Sequence, residues 1–202
     1  NDDKEAASQV VTAARSRLNM LDAGVSIIEE SMMATEAFLK ARSGWNAVIN
    51  ADAAIREATA LAEEMSKENI LSSQAKGNEA LAFLGEAQQD FSQAEAAYPG
   101  LDLSAFKAYV AKRIESQQAA LAADEAYLSR NKEELEAQNS RYNALEEEAA
   151  ALAQKLGEDD PEQIVALRFY EEIEADQGAY EAERLKAGNA DAFLREYLGT
   201  AS

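Results

Sequence analysis

The chain has 202 residues, 38 acidic against 19 basic side chains, and a formal net charge of −19. It contains neither His nor Cys, which excludes Ser-His-Asp and Cys-His catalysis, His-ligated di-iron bundles, ordinary zinc sites and His- or Cys-ligated haem. The charge disfavours attraction to nucleic acid or an anionic membrane surface, and no apolar run nears the ~18 residues of a membrane-spanning helix.

Alanine supplies 44 of the residues, and there are only two prolines. Glu, Leu, Gln and Lys fill much of the rest, and all are strong helix formers. Residues that suit a pleated sheet are thin and scattered. The expectation is an all-α protein.

Asn1-Asp2-Asp3 opens the chain with polar, acidic residues, read either as a frayed end or as helix N-terminal charge that complements the macrodipole. The absence of an initiating Met and of a signal peptide predicts a trimmed or mature form. Val11, Leu18, Val25, Met32 and Leu39 then recur every seven residues. Ala14, Leu21, Ile28 and Thr35 follow each at the third position. This a/d pattern predicts a helix over 4–42 with that seam packed. Gly24 within it suggests a close helix approach or a mild weakening of the helix. Arg42-Ser43-Gly44 is read as its end.

A second helix is predicted over 44–97. Its apolar set begins with Trp45, Val48, Ile49, Ile55, Leu61, Ala62 and Met65. Residues 66–73 leave a break open, with Asn69 or Ser72-Ser73 as caps. Ala80, Leu84, Ala87, Phe91, Ala94 and Tyr98 then form a second seam. The corner is Tyr98-Pro99-Gly100-Leu101-Asp102-Leu103-Ser104. Pro99 cannot continue a helix, Gly100 tolerates positive φ, and Asp102 or Ser104 can accept from the free N–H groups of a new helix start.

A third helix is predicted over 103–156. Ile114, Leu121, Leu128, Leu135, Tyr142, Ala149 and Leu156 keep the heptad. The companion positions are Val110, Gln117, Asp124, Asn131, Gln138, Leu145 and Leu152, polar in the middle. Either a long helix passes through a polar waist, or it breaks near 129–131 with Asn131 and Glu134 as a capping box. The two ambiguous zones are nearly symmetric about the corner, so both break or neither does. Continuous helices are the favoured reading, giving a hairpin ~80 Å long. Gly157 then stops the helix, and Asp160-Pro161-Glu162-Gln163 restarts one with Asp160 as cap and Pro161 first. Helices are predicted over 161–187, ending near Gly188, and over 190–198. The fold expected is a single domain, an elongated antiparallel helical bundle with coiled-coil-like long helices.

Residues 146–183 carry 13 acids and two bases, a pattern read first as a solvated face. Gly157-Glu158-Asp159-Asp160 lacks the ligand spacing of a calcium loop and is read as a helix start. Trp45, the only Trp, is read as sealing a core, with ligand stacking as the alternative. Polar residues at seam positions either set register, line a site or face solvent. The candidate binding surface is therefore Gln117, Asp124, Asn131, Gln138 and Trp45, with no catalytic, cofactor or metal residues.

The corner segment, with Ala108-Tyr109, Ala123-Asp124-Glu125-Ala126 and Asn139-Ser140-Arg141-Tyr142-Asn143, resembles helical regions of uncharacterised exported lipoproteins from Gram-positive bacteria. The resemblance covers about residues 84–156. It implies a cell-envelope location, and no activity or residue-level site. The expected function is a non-enzymatic binding or scaffold module, extracytoplasmic and held by an N-terminal anchor outside this sequence. Its partners would be another protein or its own kind through helix faces, with no nucleic acid and no cofactor. The alternatives are a solute- or cation-binding receptor, or an acidic protein that docks to basic partners.

Overall fold

The computed structural model describes residues 2–157 and 159–200. Asn1 and Glu158, named above, lie outside the described residues. Five helices follow one another: α1 (Asp2–Glu63), α2 (Lys67–Ala97), α3 (Ser104–Leu128), α4 (Lys132–Leu156) and α5 (Pro161–Thr200). There is no strand among the described residues, and the long helices pack on one another as an all-α bundle. Contacts divide the chain into two compact units: residues 35–166, and residues up to 34 together with those from 167 onward.

In the 35–166 unit, α3 packs on both α2 and α4. Leu84, Phe91, Tyr98, Leu103, Val110 and Val165 are fully buried. The second seam predicted from sequence is thus a core: Ala80, Leu84, Ala87, Phe91, Ala94 and Tyr98 are all buried. The corner follows from its residues. Gly100 takes φ 82°, and the Leu101 N–H donates to the Tyr98 carbonyl at 3.1 Å. Asp102 Oδ1 accepts from the Ser104 N–H at 2.9 Å. Glu95 clamps the turn, accepting from the Leu103 N–H at 2.8 Å and from Lys107 Nζ.

Gly44 does not end a helix, contrary to the sequence reading; α1 runs through it without a break. The reason is packing. A Cβ at Gly44 would lie 2.8 Å from Phe91 Cε1, so the glycine admits a ring against the helix backbone. The cost of a mid-helix glycine, ~1 kcal/mol, is outweighed by that burial.

Both ambiguous zones break, which corrects the favoured continuous hairpin. The first break lies slightly earlier than the predicted zone. Met65 takes φ 51°, and Ser66, rather than Asn69 or Ser72-Ser73, caps α2 by accepting from the Asn69 N–H at 3.1 Å. The second falls at the predicted place. Arg130 takes φ 58°, and Asn131 Oδ1 accepts from the Glu134 N–H at 3.2 Å. The capping box is half made: the Asn131 N–H donates to the Ala126 carbonyl at 2.8 Å instead of to Glu134. The Tyr127 hydroxyl donates to the Met65 carbonyl, so the two breaks are tied together. Gly157 closes α4 at φ 63°, and Asp160 Oδ1 caps α5 through the Gln163 N–H at 2.8 Å.

In the other unit, the first half of α1 and most of α5 run antiparallel. Asp3 accepts from the Tyr197 hydroxyl. Arg17 Nη2 grips both oxygens of Asp191 at 2.7 Å, and Ser26 Oγ donates to Asp176 at 2.7 Å. The buried residues here are small: Ala6, Ala13, Ser16, Ala34, Ala187 and Ala190. Small side chains let two helix backbones approach closely. α5 continues past Gly188 instead of ending there, because the buried Ala187 and Ala190 hold it on both sides.

The predicted α1 seam is the largest correction. Val11, Leu18, Leu21, Val25, Ile28, Met32 and Leu39 are all more than half exposed, and Ala14 and Thr35 are exposed with them. α1 packs internally through a different, alanine-lined face.

Candidate functional site

The polar waist lies in the 35–166 unit. Gln117 and Asp124 are seven residues apart on α3, hence on one face. They line a cavity of about 160 Å³ together with Ser73 of α2, Asn139 and Tyr142 of α4, and Ile55 and Thr59 of α1. Asp124 Oδ2 accepts from Ser73 Oγ at 3.1 Å. Burial pushes the Asp124 carboxyl above its ordinary value, against the opposing pull of that hydrogen bond. Gln117 is buried. Its amide reaches α2 only because position 77 is glycine, where a Cβ would lie 2.6 Å from Gln117 Nε2.

One turn before Gln117, α3 carries Arg113, whose side chain is 11% exposed. It donates to both oxygens of Glu146 on α4 at 2.9 and 2.7 Å and to Asp52 on α1 at 2.6 Å. Ser116 Oγ also donates to Glu146. Burial works against the guanidinium charge, but Glu146, Tyr109 and Asp52 together hold its pKa above the usual value. Burial likewise raises the phenols of Tyr109, aided by Asp52, and of Tyr142, aided by Glu146. One cation thus joins three helices through two carboxylates. That geometry fixes the rotation and height of α1, α3 and α4 against one another.

Of the sequence candidates, the structure brings together Gln117 and Asp124 alone. Asn131 is the α4 cap. Gln138 donates to Glu134 at 2.7 Å, leaving its buried Oε1 without a partner. Trp45 stands apart in an aromatic cluster, edge-on to Phe106 at 5.6 Å, with Phe106 in turn 5.9 Å from Phe91. Sequence reasoning missed Asp52, Arg113, Ser116 and Glu146. The available signal was Arg113-x-x-Ser116-Gln117, three polar residues within one turn of a seam.

Where the two breaks meet, Lys67, Arg130 and Lys132 line a cleft of about 520 Å³ with Tyr127, Leu128 and Leu135. Among the described residues no group of acidic side chains is arranged to hold a metal ion, and Asp160 serves as a cap. No described helix is long and apolar enough to cross a membrane. No protein-family model, curated protein or solved structure matches the chain.

Proposed function

We propose that this protein is a non-enzymatic binding or scaffold module of the cell envelope that works by presenting a helix face to a protein. The observation that carries this reading is the apolar stripe on α1. Seven large side chains between Val10 and Met32 are more than half exposed. Isolated surface hydrophobes need no explanation, but a continuous stripe of this size marks an interaction surface. The ionic waist supports the same reading, since its charges are engaged with one another in holding helices in register. The envelope location draws on the lipoprotein resemblance of residues 84–156.

The test is a photo-reactive side chain introduced at Leu21 in the producing cell. Protein adducts are expected from that position and not from Gln177, an exposed polar position on α5. Equal labelling from both positions, or protein adducts from neither, overturns the reading.

A further inference from the structure

The stripe has the register of a coiled-coil seam. Val11, Leu18, Val25 and Met32 occupy a positions, and Ala14, Leu21 and Ile28 occupy d positions. At ~100° per residue the stripe lies roughly 130° around α1 from the buried Ala13 and Ser16, so the intramolecular partner leaves it open. From the fractional exposures, Val10 and the six large a and d residues together present about 750 Å² per chain. Covering most of that on two chains removes roughly 1,200–1,500 Å², within the range of stable specific interfaces.

We infer that the occupant is a second copy of this chain, docked antiparallel through residues 10–32 of α1. The inference rests on the binding-face reading above and names its partner. Three features select a second copy in this orientation. First, size matches. An antiparallel register that sets Leu18 over Ile28 of the second copy also sets Leu21 over its Val25 and Ala14 over its Met32. Small then meets large, whereas a parallel in-register pair would place Ala14 on Ala14 and leave a void. Second, charge matches. Arg15 and Glu29, both exposed, flank the seam on the same side, and this register places each beside the other's counterpart, twice by symmetry. Third, the parallel arrangement would need Arg17 to pair with Asp22 of the second copy, and Arg17 is already held by Asp191. In the antiparallel register Asp22 meets its own copy at the two-fold axis, a like-charge contact that weakens the pair.

The full chain is tested by light scattering and sedimentation at 1–100 µM, with helix content followed by circular dichroism. A mass of twice 21.9 kDa is expected. Leu21→Glu, on an exposed position, is expected to return the chain to one copy with unchanged helicity. Arg15→Glu or Glu29→Arg alone should weaken association about tenfold, the double exchange should restore it, and Asp22→Asn should tighten it. Because the chain has no Cys, Leu18→Cys and Ile28→Cys report orientation: oxidation of the mixture should link the two variants, and neither should link to itself. A chain that stays monomeric at 100 µM, self-linking of Leu18→Cys, or failure of the double charge exchange each overturns the inference. A monomeric chain that still gives Leu21 adducts with a different protein overturns the self-association and leaves the binding-face reading standing.

Discussion

At Gly44 the backbone itself is a packing surface. An added Cβ would meet the Phe91 ring at 2.8 Å and the Ala87 carbonyl at 3.2 Å. Gly44→Ala should therefore cost ~1–3 kcal/mol as overpacking, despite the better helix propensity of alanine. Gly85, also inside a helix, has nothing within 4 Å of the added atom. Gly85→Ala should stabilise by ~0.5–1 kcal/mol. Urea unfolding of the two variants separates packing from propensity, and a shared sign would contradict the contrast. Arg113 poses the opposite problem. Arg113→Leu leaves Asp52 and Glu146 facing each other across a part-buried site, for a loss of ~3 kcal/mol or more. Exchanging all three for apolar residues should recover most of it. Asp124 has the remaining testable charge. Its carboxyl is raised mainly by burial, so its contribution is fully present below the ordinary carboxylate value and is lost as pH rises through the raised one. Asp124→Asn should accordingly lose that part of the decline, leaving the variant at least as stable as the parent at neutral pH. Melting temperatures of both from pH 4 to 7 decide it: a parallel pair of curves would show that Asp124 does not titrate there.

Among the elements, the two helix breaks form one structure. Ser66 and Asn131 cap the helices that leave them, and the Tyr127 hydroxyl spans from one break to the carbonyl of Met65 in the other. Ser66→Ala and Asn131→Ala should each cost ~1 kcal/mol. Tyr127→Phe should speed amide hydrogen exchange at both breaks together, around residues 64–70 and 127–134, because one hydrogen bond serves both. Faster exchange at only one break would show that they open independently. These breaks were partly legible in sequence. Asn131 and Glu134 announced the second, and symmetry about Pro99-Gly100 implied that the first would share its fate. The corner and the α5 start were legible because proline, glycine and aspartate act there through local geometry alone. Gly44 and Gly188 misled because their cost is local while the packing that overrides it is not. The α1 seam misled for a different reason. A heptad pattern says that large apolar side chains share a face, but not that their partner lies in the same chain. In each unit the residues α1 buries are small, Ala13, Ser16 and Ala34 in one and Ala37, Ala41 and Gly44 in the other, and such side chains carry almost no hydrophobic signal. At the waist, Gln117 and Asp124 stood out as polar residues in a seam. Arg113 and Glu146 did not, since charged residues beside a seam ordinarily read as solvated.

Across the whole molecule, burial is divided unequally. The 35–166 unit holds the fully buried Leu84, Phe91, Tyr98, Leu103 and Val110, the corner, both breaks and the Arg113 network. The other unit buries only alanines and one serine among the described residues. Hydrophobic stabilisation scales with the apolar area removed from water, and an alanine methyl removes little. Residues 35–166 expressed alone should therefore be helical and melt cooperatively. The full chain should lose the α1–α5 pairing of its terminal unit first, seen as lower hydrogen-exchange protection in residues 3–30 and 170–198 than in α2 and α3. The exposed stripe adds a concentration dependence to that order. Its large side chains belong to the weakly packed unit, so a second copy docked there supplies the apolar burial that the intramolecular contact lacks. Raising the protein from 1 to 100 µM should protect residues 10–32 while leaving α2 and α3 unchanged, and Leu21→Glu should remove the effect. Protection in residues 10–32 that is high and independent of concentration would mean that alanine packing alone suffices, and that the unequal division of burial does not govern how the chain opens.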